Sequence, residues 1–267
     1  MDIDFTKTRF TEDEVLYAVK NNLTNNFKLN DILLLDVKYN KEYRVIDKNH
    51  DGTKNTIDIM TNRCIIIHKR SINGNRLPFN KYDTRVANTI NDYTSSTIRE
   101  WLNTEFIDRF NNKDVKDILK VMDVEYFDGN ELKVLKDKVK LLSCTEMNYL
   151  NMYIGMAGYC DRDIDESIKD HLESEGEPYP VFDRDYYGNN NSSREVYGCK
   201  RYIATKEFSG YQEPDYYWLR SKVLADRSPR LPSIFNHNHV WCVSNKGSGD
   251  IMIHGLETAK VVPVLRL

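Results

Sequence analysis

The stretch Asp215-Tyr216-Tyr217-Trp218-Leu219-Arg220-Ser221 is answered by two later segments, Val240-Trp241-Cys242-Val243 and Val261-Val262-Pro263-Val264-Leu265-Arg266-Leu267. Aromatic and β-branched side chains at this density fit a pleated, half-buried surface. The three segments hold two of the three tryptophans and are read as the core sheet of the protein. Strand alternation puts Tyr216 and Trp218 on one face, and Arg220 with them if the strand runs on regularly. An arginine on such a face needs a buried partner, or the strand ends before it.

Outward from this sheet, Ile32-Leu33-Leu34-Leu35-Asp36-Val37, Tyr43-Arg44-Val45-Ile46 and Thr56-Ile57-Asp58-Ile59-Met60 read as strands. Cys64-Ile65-Ile66-Ile67-His68 is apolar for four residues and reads as a central strand. A loop rich in Asn, Arg and Lys follows from Ser71 to Asp92. Ile98, Trp101, Leu102 and Phe106 then recur at helical spacing on one face, with Thr97 and Glu100 as a capping box. A short helix is expected from Lys113 to Met122, a strand over Val139-Lys140-Leu141-Leu142-Ser143, and helices over Thr145 to Tyr153 and Asp161 to Glu173. Residues 177–193 carry the Pro, Tyr, Asp, Asn and Gly of loop chemistry. At the start, Thr11-Glu12-Asp13-Glu14 reads as a capping box with Phe10 and Val15 as its hydrophobic staple. Val15, Val19 and Leu23 give that first helix only a thin apolar stripe. It is either an edge of the domain or an arm for attachment to another subunit.

Composition narrows the function classes. Net charge is −3, so no global field draws the chain to nucleic acid or to a membrane surface. No apolar run approaches the roughly 20 residues of a membrane helix, and no secretory signal is expected in Met1-Asp2-Ile3-Asp4-Phe5. The five cysteines, Cys64, Cys144, Cys160, Cys199 and Cys242, are scattered without CxxC spacing. They read as reduced thiols of a protein made in a cytoplasm.

Five stretches in order resemble a family of uncharacterised domains of bacteriophages and Gram-positive bacteria. They are Tyr43-Arg44-Val45-Ile46-Asp47, Tyr93-Thr94-Ser95-Ser96-Thr97-Ile98-Arg99-Glu100-Trp101-Leu102-Asn103, Val139-Lys140-Leu141-Leu142-Ser143, Tyr217-Trp218-Leu219-Arg220-Ser221 and Val261-Val262-Pro263-Val264-Leu265. The resemblance implies a C-type-lectin-like fold, distantly akin to formylglycine-generating enzymes and to phage receptor-binding proteins. This chain has Tyr217-Trp218 where the family pairs two tryptophans, and Val262 where it has an arginine.

Several residues bear candidate chemistry. Asp47-Lys48-Asn49-His50-Asp51-Gly52 matches the first half of a calcium loop, with Asp47, Asn49 and Asp51 as oxygen ligands and Asp58 at position 12. The alternative is a polar hairpin turn. Trp218, Trp241 and Tyr216 offer faces that stack on a sugar, although aromatics in strands are more often core. Arg220 belongs to the same candidate surface. Asn236-His237-Asn238-His239 is a polar cluster of the kind glycan-binding loops use, or a plain exposed loop. His237 and His239 would share a strand face as a metal pair, but no third ligand is evident. No nucleophile elbow, zinc-helix motif, P-loop or dinucleotide fingerprint is present. Cys199 and Cys242 do not match the reactive cysteine pair of formylglycine-generating enzymes.

The expectation is therefore an α+β, C-type-lectin-like domain over residues 28–267, with a loop-rich insertion at about 155–214 and a helical arm over residues 1–27. The expected function is non-catalytic: a phage virion structural protein (capsid decoration, fibre or baseplate) assembled in the host cytoplasm. Its arm would contact other virion proteins in an oligomer or larger assembly. Its lectin-like domain would face a host-surface glycan, with no nucleic acid and no membrane insertion. The alternative is an intracellular bacterial ligand-binding or regulatory module. No cofactor is expected beyond the calcium candidate.

Overall fold

The computed structural model describes residues 1–35, 42–62, 65, 79–80, 91–127, 131–147, 175–182, 205–208, 211–214, 217–222, 240–243, 249–252 and 260–267. The largest sheet has six strands: β1 (Arg9–Phe10), β2 (Ile32–Leu34), β3 (Glu42–Lys48), β4 (Ile57–Thr61), β13 (Val264–Arg266) and β7 (Val139–Lys140), in that spatial order. The chain's last strand is thus central. Leu265 of β13 stands opposite Ile59 on one side and Val139 on the other. Leu267 exchanges two backbone hydrogen bonds with Ile57, so the terminus is zipped in to its final residue.

A second sheet holds β10 (Tyr217–Lys222), β11 (Val240–Val243) and β12 (Gly249–Met252), all antiparallel. The three segments read as one core sheet therefore divide between two. Tyr217 forms an isolated bridge with Lys260, just before β13, and Arg220 N donates to the Leu142 carbonyl, just after β7. Alternation along β10 and β11 buries both faces. Trp218, Val240 and Cys242 join one apolar cluster, while Tyr217, Leu219, Trp241 and Val243 join another. Strands buried on both faces carry near-continuous apolar sequence, which is why this stretch stood out. Two hairpins complete the strands: β5 (Met122–Phe127) with β6 (Leu132–Asp137), and β8 (Thr205–Phe208) with β9 (Tyr211–Pro214). With its helices and mostly antiparallel sheets the fold is α+β.

The amino-terminal segment does not stand apart as an arm. Helix α1 (Glu12–Lys20) starts as its sequence predicts: Thr11 N donates to Glu14 Oε2 at 2.8 Å, and the Thr11 hydroxyl caps the Glu14 N–H. Its buried side is wider than the stripe of Val15, Val19 and Leu23, because Leu16 and Ala18 are also buried. Phe10 and Phe27 meet edge to face with centroids 4.8 Å apart, and Phe5 packs on both. Strand β1 pairs in parallel with β2. Residues 1–27 thus share one apolar core with β3, β4 and β13.

Helix α2 (Thr97–Trp101) continues into a π-helical turn, Leu102–Phe106. Its cap is Ser96, whose hydroxyl accepts from Arg99 N at 3.2 Å, so Thr97 is already the first helical residue. The next helix, α3 (Lys113–Ile118), ends before the expected Met122 because Met122 opens β5. The expected strand over 139–143 is strand only at Val139–Lys140, and 144–147 is a turn. Of the helix expected over Thr145 to Tyr153 the described start, residues 145–147, is a turn; its remainder, Asp36 and Val37, the strand around Ile66, most of the loop from 71 to 92 and the helix expected over 161–173 lie outside the described residues.

This packing predicts that Phe10→Ala weakens the whole domain. Truncating a buried phenylalanine costs about 3–5 kcal/mol. Urea denaturation followed by tryptophan fluorescence should show one transition at lower midpoint; an unchanged midpoint would mean that the segment is a separate arm.

Candidate functional site

The residues expected to touch a ligand are, where described, interior. Trp218 and Trp241 are 1% and 5% exposed. Trp218 packs edge to face on Phe79, with ring centroids 5.5 Å apart. Neither indole face is open to a sugar, which corrects the stacking expectation for both. Tyr216, Asn236, His237, Asn238 and His239 lie outside the described residues.

Arg220 has the buried partner that its strand position demanded. Its Nη1 donates to Glu146 Oε2 at 2.5 Å and its Nη2 to Glu146 Oε1 at 2.9 Å, a two-pronged fork. Nη1 also reaches the Leu141 carbonyl at 2.7 Å, Nε the Glu125 carbonyl at 2.9 Å, and Nη2 the Glu175 carbonyl at 3.0 Å. Glu146 is equally committed. It accepts Lys140 Nζ at 2.7 Å and Ser143 N at 3.1 Å. Ser221 donates to Glu175 Oε2 at 2.5 Å and accepts from Cys144 N at 2.8 Å. These side chains are at most 4% exposed. Buried charges persist only when paired and hydrogen-bonded, and here each charged head has several partners.

A second lock closes the candidate calcium loop. Arg266 Nε donates to Asp58 Oδ1 at 2.6 Å, and its Nη2 to Asp58 Oδ2 at 2.8 Å and Asp51 Oδ2 at 3.0 Å. Asp47 Oδ2 lies 2.6 Å from His50 Nδ1. Asn49 accepts from Thr56 N and donates to Asn25 Oδ1. The cation that Asp51 and Asp58 face is a guanidinium. No three His, Cys, Asp or Glu side chains among the described residues gather as a metal site. The calcium reading of Asp47, Asn49, Asp51 and Asp58 gives way to the hairpin-turn reading: β3 and β4 pair on either side, and Asn49, Asp51 and Gly52 take positive φ at the bend.

The two locks meet at Tyr179. Its hydroxyl donates to Asp58 Oδ2 at 2.7 Å, Lys140 Nζ lies 5.2 Å from its ring centroid, and His50 stacks on it at 4.1 Å. A third lock follows the same logic: Arg99 forks onto Asp137 at 2.8 Å through both Nε and Nη2. Asn103 Oδ1 accepts from Lys138 N and Val139 N, while its Nδ2 donates to the Val139 carbonyl. Sequence reasoning missed Glu146, Glu175, Lys140 and Tyr179 as partners, because nothing in their local pattern marks a long-range contact.

The motif residues that carried the resemblance are thus spent on scaffold. Residues 61–265 of this 267-residue chain match a family described as a domain of unknown function (DUF6273). The chain belongs to that family. No curated protein and no solved structure matches it. In this member of the family, Ser96, Arg99, Asn103, Ser143, Arg220 and Ser221 each bind backbone or a buried partner. No helix among the described residues is long and apolar enough to cross a membrane.

Burial alone would push the Glu146 carboxyl up, but Arg220 and Lys140 outweigh it and hold the group at about 2 against an ordinary 4.5. A depressed carboxyl stabilises the fold above its unfolded pKa, and that contribution is lost as pH falls from about 4.5 toward about 2. Glu146→Gln should therefore flatten the acid limb of the Tm-against-pH curve, besides lowering Tm at neutral pH. A variant curve parallel to the parent's below pH 4.5 would contradict this assignment. The Arg266 lock gives a further expectation. Millimolar calcium should leave Tm unchanged, while Arg266→Met, which strands Asp58, should cost on the order of 3–5 kcal/mol. A calcium-dependent rise in the parent protein would restore the metal reading.

Proposed function

We propose that this chain is a non-catalytic module that presents binding surface on a rigid frame. The observation that carries this reading is the commitment of its motif residues to buried scaffold. Groups that catalyse must meet substrate, whereas Arg220, Glu146, Ser143 and Ser221 are engaged by one another, by the Glu175 carboxylate and by backbone. Burial pushes the Cys144 thiol far up, which keeps it from the thiolate form that a nucleophile needs.

Within that reading, the resemblance to phage domains supports a virion component: a decoration, fibre or baseplate protein whose lectin-like domain faces a host-surface glycan. Attachment through a free amino-terminal arm is withdrawn from the proposal, since Phe10, Val15 and Phe27 are buried in the domain's own core. That packing favours the second reading, an intracellular ligand-binding or regulatory module with no particle to dock on. Mass spectrometry of washed phage particles from an induced source culture separates the two. Copurification at fixed stoichiometry is the expected result for a virion protein, and its copy number distinguishes decoration from fibre or baseplate. Recovery only in the soluble fraction would leave the intracellular module.

A further inference from the structure

Glu175 is fixed from outside its own segment. Its Oε1 accepts from Phe127 N at 2.8 Å, and its Oε2 accepts from Ser221 Oγ at 2.5 Å. Its carbonyl accepts from Ser143 Oγ at 2.6 Å and Arg220 Nη2 at 3.0 Å. Its N–H donates to Thr145 Oγ1 at 3.1 Å, and the next N–H, of Gly176, donates to Glu125 Oε2 at 2.8 Å. The donors come from the end of β5, from Ser143 just before the 144–147 turn and from β10, and they converge on a residue that belongs to none of them.

Each of those donors is also positioned without Glu175. Arg220 is held by Glu146 and by the Leu141 and Glu125 carbonyls. Ser143 Oγ accepts from Glu146 N at 3.0 Å. Ser221 Oγ is anchored by Cys144 N. Phe127 is set by the β5–β6 ladder, where it stands opposite Leu132. Groups prepositioned in this way form a binding site whose reorganisation cost is already met by the fold. Burial raises the Glu175 carboxyl above its ordinary value; Arg220 and the hydrogen bonds from Ser221 and Phe127 N–H pull against that rise, and the like charge of Glu146 adds to it.

We propose that Phe127 N–H and Ser221 Oγ, beside the guanidinium of Arg220, form a preorganised receptor for a carboxylate, filled in cis by the side chain of Glu175. The ligand class is a short carboxylate. The receptor reads two oxygens through one backbone and one hydroxyl donor beside a guanidinium, and it does not require the rest of residues 175–182. The chain thereby carries its own occupant, and the segment is docked by ligand recognition rather than by apolar packing alone.

The test uses the full chain with Glu175→Ala, which vacates the receptor, and acetate or formate as the probe. Acetate should bind the variant saturably and raise its Tm by about 3–5 °C once it exceeds its Kd roughly tenfold. The parent protein, already occupied, should not respond. Chloride at equal ionic strength and acetamide, which is isosteric but uncharged, should fail, and Glu175→Ala/Ser221→Ala should lose the response. Should the single variant not fold unaided, the yield of refolded protein in acetate against chloride becomes the readout, with the same expectation. An equal effect of chloride, or no effect of acetate in either assay, would overturn the receptor.

Discussion

The fork between Arg220 and Glu146 is the interaction on which the rest of the structure depends. It joins a strand near the carboxyl end to a turn 74 residues earlier in the chain, and both partners are essentially inaccessible. Removing either would leave an uncompensated charge inside the protein, whereas replacing both by apolar groups of matching shape is often neutral. Such a pair contributes little net stability and much specificity of place. β10 can seat only where Glu146, the Leu141 and Glu125 carbonyls and the Glu175 carbonyl coincide. Trp218 on one side of that strand and Leu219 on the other then enter their separate clusters. The fork thus adds a hydrogen-bond requirement to the apolar burial that seats the second sheet.

Around that fork the interior is tied by a chain of polar contacts. Lys140 bridges from Glu146 to the ring of Tyr179, Tyr179 reaches Asp58, and Asp58 takes the guanidinium of the penultimate residue. The series passes from the β7 edge of the large sheet to β4 and β13 at its centre. It also crosses the limit of the family match. Asp58 and Arg266 stand outside residues 61–265, as do β1, β2 and β3. The matched span therefore does not close its own core in this chain. The first 60 residues supply β1, β2, β3 and nearly all of β4, one of the two strands that flank β13, and Phe10, Val15 and Phe27 extend that core.

What could be read in the sequence were the features with local causes. The capping box at Thr11 and Glu14 and the buried face of Ile98, Trp101, Leu102 and Phe106 depend on neighbours a turn away. Both are found as expected. The strands around Val45 and Ile59 announced themselves by alternation, and Trp218 by the apolar run about it. The β5–β6 hairpin was missed although Val124 and Tyr126 alternate with polar residues and an Asp128-Gly129 pair follows, a strong hairpin signal. The ligand assignments at Trp218, Trp241 and the Asp47–Asp58 loop are not met for a different reason. Asp, Asn and Gly at calcium-loop spacing are also the residues of a tight bend, and the choice lay with Arg266, more than 200 residues away. Tryptophan in a strand looks the same whether its face meets a sugar or Phe79. Local pattern fixes which atoms can bind, and only the fold says what they bind.

The same logic bears on how function is to be sought in this family. A motif built from Arg, Asn, Ser and Trp invites a reading as a binding site, because such residues dominate recognition surfaces. Here they serve an interior that spends charge to define geometry, with three arginine–carboxylate forks holding three parts of the fold. In this chain, membership of the family goes with an architecture to which the forks belong. The Arg220 and Arg266 forks define the frame from inside it, each turned onto a buried carboxylate.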